Sequence, residues 1–282
     1  MAPAQKARAL LVRGLALTYV AFVLLLPLAV MVWYTSQRPL GELLPVITHP
    51  VAIASYQLTF GSAIAAGIIN TIFGGILAWI LTRYQFWGRR LVDGLVDLPF
   101  AMPTVVAGIS LVSLYSPEGA IGQFVAPHSW LGRWLSLGGE VNLTASVFGV
   151  LMAQIFVTLP FVVRTLQPVL LELEPEVEEA AALLGASPWQ IFWRVTLPQI
   201  LPAVLTGFAL AVARAIGEYG VVTIVSGNLP FQTLVATVYV YQKLEEFDLL
   251  GATAIAATLL IISLILLALI NLLQWWSRRS LL

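Results

Sequence analysis

The chain has 282 residues, 60% of them hydrophobic and 10% charged, with a mean hydropathy of +0.93. Soluble domains are about 45–50% apolar and about 25% charged, so a soluble enzyme and a disordered chain are both excluded. Fourteen basic and fourteen acidic residues cancel, which argues against a nucleic-acid partner, and the lack of cysteine excludes disulfides, thiolate metal sites and cysteine nucleophiles.

A spanning helix needs about 20 mainly apolar residues. Six stretches reach that length, at 14–35, 62–82, 95–115, 143–163, 200–225 and 251–273. The first outruns the roughly 7–15-residue core of a cleavable leader, and Tyr34, Thr35 and Ser36 follow it where a small-residue cleavage site would stand, so it reads as a true span. Lys6, Arg8, Arg13, Arg83, Arg89, Arg90, Arg164, Arg194, Arg278 and Arg279 flank one side of the spans, and Arg38, Arg133 and Lys243 the other. Ten against three places both termini in the cytoplasm, as six spans require. Segments 36–61, 116–142 and 226–250 then face outward, and 83–94 and 164–199 inward. Trp33, Trp79, Trp87, Trp275 and Trp276 sit at predicted span ends, where amphipathic rings favour the interface. His49 and His128 lie far apart in polar stretches and read as solvated loop residues, with no metal site. No linker marks a second domain, so residues 1–282 read as one transmembrane domain.

In the second span, Ala63, Gly67, Thr71 and Gly75 form a stripe of small residues that lets helices approach closely. The stripe reads as a packing face, with Asn70 and Thr71 as polar pore positions in the alternative reading. Pro99, Pro103 and Gly108 predict a kinked third span.

The inner segment 172–198 is the most informative. Glu174, Glu176, Glu178 and Glu179 gather around Pro175, where the helix macrodipole favours negative charge. Ala180, Ala181, Ala182, Leu183 and Leu184 are good helix formers, and Gly185 supplies a stop. Ala186 follows; Ser187 is an N-cap candidate, Pro188 takes the first helical position, and Gln190 completes a capping box. An aromatic second helix over 188–195 is predicted, with Pro198 ending it before the fifth span. The spacing therefore predicts a cytoplasmic helical hairpin. Either it packs on its own membrane domain, or it docks into a groove on a partner.

Arg214 and Glu218 are the only charges well inside a predicted span, and each costs about 2.5–3.5 kcal/mol near a helix centre on the insertion scale. Four residues apart, they share one helix face, with Arg214 in the outer half of the membrane. The pair either locks the span to its neighbours or lines an anion path, Glu218 positioning Arg214. Ser226 and Asn228, just beyond, are either a plain turn or donors to an arriving anion.

Glu179, Ala180 and Ala181, then Gly185, then Val195, Leu197 and Pro198 reproduce the spacing of the loop that marks bacterial ABC importer permeases, with Val195 where isoleucine is usual. The run from Gly207 to Gly220 and that from Gly227 to Pro230 resemble sulfate/thiosulfate permease subunits. Related molybdate permeases share both patterns, as they share the 98–108 run. The 244–248 stretch leans toward the sulfate group and its T-type subunit. The resemblance implies an all-α polytopic membrane protein of the type I importer permease kind. It has six transmembrane helices and a cytoplasmic coupling hairpin at 172–198. The coupling residues it implies are Glu178, Glu179, Ala180, Ala181, Leu184, Gly185, Ala186, Ser187 and Pro188. It also implies a second, related permease subunit, two ATPase subunits carrying ATP and magnesium, an extracytoplasmic anion-binding protein and a plasma-membrane location. Lys6 and Lys243 do not follow the glycine pattern of a P-loop, so no cofactor is expected on this chain.

Two other functions fit less. A secondary transporter needs an ion-coupling group near the midplane; Glu218 is the one carboxylate candidate, and the hairpin would have no role. An intramembrane enzyme lacks a histidine within any span, a G-x-S-x-G motif and paired intramembrane aspartates.

Overall fold

The computed structural model describes residues 3–125 and 143–279, and every regular element within them is helical. Five helices are long and apolar enough to cross a membrane: Val12–Ser36, Pro50–Arg83, Val147–Glu172, Pro188–Ile216 and Leu249–Leu272. They answer to the first, second, fourth, fifth and sixth predicted spans. His128 and Arg133 lie outside the described residues, as do the side chains of Lys6, Arg8, Trp275, Trp276, Arg278 and Arg279.

The third predicted span is a broken segment instead of one helix. Leu98–Ala101 makes a single turn, Met102 is extended at ψ 136°, and Thr104–Tyr115 follows with Pro103 as its N-cap. A proline crowds the residue before it out of the helical region, so Pro103 sets the break at Met102. The 12-residue piece is about 18 Å long, short of a roughly 30 Å hydrocarbon core.

The fifth span departs from expectation at both ends. It begins earlier, because the helix from Pro188 runs through a π turn, Phe192–Thr196, straight into Leu197–Ile216. Pro198 therefore does not end the second hairpin helix. The amide of Leu197 bonds back to the Phe192 carbonyl, and this wider turn accommodates a proline that has no amide to donate and would crowd an ordinary one. The predicted outer end separates: the helix stops at Ile216, and Gly220–Val225 starts anew.

Much of the predicted outer segment 36–61 is helical, as Leu40–Ile47 and the start of the 34-residue helix Pro50–Arg83. His49 caps the latter, its Nδ1 accepting from the Val51 amide at 3.3 Å.

Spans two, four and five pack on one another. Lipid is as apolar as leucine, so close fit and polar links hold such helices together. A Cβ on Gly67 would sit 2.6 Å from Val212 Cγ2; Gly67 and Ala63 of the small-residue stripe thus seat span five, while Gly75 meets Leu166 of span four. Asn70 is buried and donates to the Ile155 carbonyl (2.9 Å) and Thr158 Oγ1 (2.8 Å) of span four. It is a cross-link, and its side chain faces no pore within this chain. The apolar core has one layer around Val150, Val157, Val221 and Val222. A second layer gathers Leu81, Val162, Leu166 and Leu170. The two short helices Thr104–Tyr115 and Gly220–Val225 pair at the first layer.

Candidate functional site

The hairpin at 172–198 folds as its local chemistry dictates. Helix Pro175–Leu183 starts on Pro175 with Glu176 and Glu178 in its first turn. Its far end closes on Gly185, at φ +86°, with Gly185 and Ala186 amides bonded to the Ala182 and Ala181 carbonyls. That left-handed conformation suits glycine, since a side chain there crowds the following carbonyl. Ser187 and Gln190 form the expected capping box: Gln190 Oε1 accepts from the Ser187 amide at 2.8 Å, and Ser187 Oγ accepts from the Gln190 amide at 3.4 Å.

The hairpin base is fastened and its tip is bare. Glu178 Oε1 accepts from Arg83 Nη2 (3.0 Å), at the end of span two, and from Thr196 Oγ1 (2.9 Å), in the π turn. The Arg83 guanidinium lies over the Trp79 ring at 5.2 Å, and Trp79 meets Phe192 edge-on. At the tip Leu183 and Leu184 are each 89% exposed and Trp189 69%. Glu179, Ala180, Gly185, Ser187 and Pro188 are exposed around them, while Ala181 and Ala186 are half-buried. Of the nine coupling positions, eight thus gather at or near one exposed end, and Glu178 turns inward to the body.

A second cluster escaped the sequence reading, which used Arg164 only as an orientation marker. Arg164 forks onto both oxygens of Asp97 (Nε 2.7 Å, Nη2 2.6 Å) and also donates to Asp93 Oδ1 (Nη1 2.7 Å). Gln167 donates to the same Asp93 oxygen at 2.9 Å. This clamp ties helix Arg89–Val96 and its C-cap Asp97 to span four. The Gln167 amide, with Arg164 and Arg89, holds the Asp93 carboxyl below its usual range, against the opposing effect of burial. The spacing of Asp93 and Asp97, one helical turn apart, was the signal available for it.

Arg214 and Glu218 do pair, Nη1 to Oε2 at 2.6 Å. They do so across the helix break at Gly217, and not along one continuous helix face. The Glu218 side chain is 1% exposed, against 31% for Arg214. The other Glu218 oxygen accepts from the Val221 amide (2.9 Å) in the first turn of the short helix Gly220–Val225, and Thr237 Oγ1 donates to the Glu218 carbonyl (2.8 Å). Glu218 is thus an anchor whose bonds leave the guanidinium as the exposed half of the pair. Ser226 is fully buried and gives its hydroxyl to Asn228 Oδ1 (2.7 Å), and Asn228 Nδ2 donates to the Thr223 carbonyl (2.9 Å). Ser226 thus spends its hydroxyl proton on the turn, and Asn228 one of its two amide hydrogens.

Residues 70–280 match the family described as binding-protein-dependent transport system inner membrane component. The chain is 49% identical to a sulfate transport system permease protein CysT of Synechococcus elongatus, over 93% of this chain and 90% of that one. It is 45% identical to the protein of that name from Escherichia coli, with the same two coverages. In structure it resembles a bacterial ABC transporter involved in the import of the acidic polysaccharide alginate. The TM-score is 0.73 at 18% identity, covering 97% of this chain and 96% of that one. A methionine ABC transporter in an inward-facing conformation gives a TM-score of 0.55 at 18% identity, over 82% of this chain and 95% of that one.

Proposed function

Because the chain belongs to the family of inner membrane components of binding-protein-dependent transport systems, we propose that it is the permease subunit of an ATP-driven importer for sulfate or thiosulfate. The relatives named as sulfate permeases support that substrate over molybdate or tungstate. The observation that carries the mechanism is the hairpin, capped on both helices, bonded at its base through Glu178 and bare at Leu183, Leu184 and Trp189. An exposed apolar tip on a rigid stem suits insertion into a groove of a partner.

In this reading both termini are cytoplasmic and the tip docks on an ATPase subunit that binds ATP and magnesium. A second, related permease subunit completes the pore, and a binding protein delivers the anion from outside. This chain is non-catalytic. Closure of the ATPase pair moves the hairpin, and the second hairpin helix, continuous with span five, carries the motion into the membrane. Glu178, bonded to both Arg83 and Thr196, makes span two follow. Arg214 faces the path as a cation half-neutralised by Glu218, attracting a divalent oxyanion without holding it fast.

Labelled sulfate uptake by the reconstituted complex tests this, wild type against Gly185→Asp or Glu179→Lys. Loss of uptake and of transport-stimulated ATP hydrolysis, with the chain still in the membrane, is expected. Full uptake in either variant, or uptake with no ATPase present, overturns the reading and favours a secondary transporter.

A further inference from the structure

Two inner-side arginines make no ion pair in the hairpin or the clamp. Arg89 and Arg90 open the eight-residue helix Arg89–Val96. Among the described residues, neither has a carboxylate within ion-pairing distance. Both line an open cavity of about 630 Å³, together with Asp93, Arg164, Gln167 and Leu171. Asp93 is already engaged by Arg164 and Gln167. Even with Asp97 counted, three arginines stand against two carboxylates, so the cavity is electropositive.

Apolar side chains flank the two arginines. Leu171 lines the cavity and is exposed, and beside Arg89 and Arg90 in sequence Trp87 is 100% exposed and Phe86 and Leu91 are also exposed. A small soluble anion has no use for such neighbours. Arginines beside exposed aromatic and aliphatic side chains at a span end suit the layer where phosphates meet acyl chains.

We propose that Arg89 and Arg90 hold the phosphate of an anionic phospholipid of the inner leaflet over this cavity, with Trp87 and Leu91 against its acyl chains. A guanidinium pairs with phosphate through two parallel hydrogen bonds, so two arginines in sequence can share its oxygens. The bound headgroup braces helix Arg89–Val96, which the Arg164 clamp joins to span four, next to the root of the hairpin. The inference rests on the cytoplasmic placement of this face, and not on the transported anion.

The test uses the full chain in zwitterionic detergent, with dioctanoyl phosphatidylglycerol, dioctanoyl phosphatidylcholine and inorganic phosphate as probes. Bound lipid is counted by native mass spectrometry, and the unfolding midpoint is read in parallel. Phosphatidylglycerol is expected to bind and raise the midpoint where phosphatidylcholine does not. Arg89→Gln/Arg90→Gln should weaken binding about 10–30-fold, and Arg89→Lys/Arg90→Lys, which keeps the charges and loses the paired hydrogen bonds, should weaken it less. Should the glutamine pair fail to fold, exposed Arg90→Gln alone carries the comparison. Equal binding by wild type and the glutamine variant overturns the site. Equal stabilisation by inorganic phosphate overturns the lipid as occupant. Neither outcome depends on uptake, so this inference and the transport reading fail separately.

Discussion

Arg83 and Glu178 stand 95 residues apart in sequence and meet at 3.0 Å, Nη2 to Oε1. Their side chains are 21% and 25% exposed, so water screens the pair only partly. Glu178→Ala removes the acceptor that both Arg83 and Thr196 use. Losing a hydrogen bond to a charged group costs about 1.5–3 kcal/mol. Amide exchange over Pro175–Leu184 should accelerate by about tenfold or more, with that in Asn70-bonded span four unchanged. Coupled uptake should fall with it. Unaltered exchange in the hairpin would show that the base is held by something else.

Gly185 adopts φ +86° with nothing within 4 Å of a built Cβ. The cost of a side chain there is therefore backbone strain alone, about 1–2 kcal/mol for most residues and least for asparagine. Sulfate uptake should rank wild type, then Gly185→Asn, then Gly185→Val. A valine variant equal to wild type would show that the left-handed stop does not govern docking.

Glu218 is enclosed and Arg214 is its charge partner. Breaking a buried pair from one side costs about 3–5 kcal/mol, because an uncompensated charge remains. Arg214→Met, which leaves the enclosed Glu218 carboxylate unpaired, should lower the unfolding midpoint more than the double variant Arg214→Met/Glu218→Gln, which leaves neither charge. The double variant also isolates the path: if it assembles and still takes up sulfate at the wild-type rate, Arg214 does not line the route.

Asp93 carries its carboxyl below the ordinary value of 3.8. A depressed folded pKa stabilises the protein fully at pH above the unfolded value, and the contribution is lost as pH falls through the folded one. Asp93→Asn should therefore unfold at a lower temperature than wild type at pH 6, and the gap should narrow below about pH 4. A gap as wide at pH 3 as at pH 6 would mean the clamp does not depend on that charge.

Sequence alone determined what depends on neighbours along the chain. Apolar length fixed five spans to within a few residues at most ends, since a bilayer sets the number. Ser187, Pro188, Gln190 and Gly185 fixed the hairpin turn, because caps form within four residues and need no distant contact. Local chemistry also placed the interruption near Pro103, though not its depth: a broken segment replaced the kink.

Tertiary structure decided what requires two distant segments to meet. Arg164 looks like one more inner arginine until helix Arg89–Val96 brings Asp93 and Asp97 to it. Glu178 looks like one of four similar glutamates until its turn of the helix places it, and none of the others, against Arg83. Whether Pro198 stops a helix depended on a π turn that relieves its crowding. Glu218 became an anchor only because the chain breaks at Gly217 and frees the Val221 amide for its carboxylate. A charge in a membrane must find a partner; composition announces the need, and only packing chooses which one.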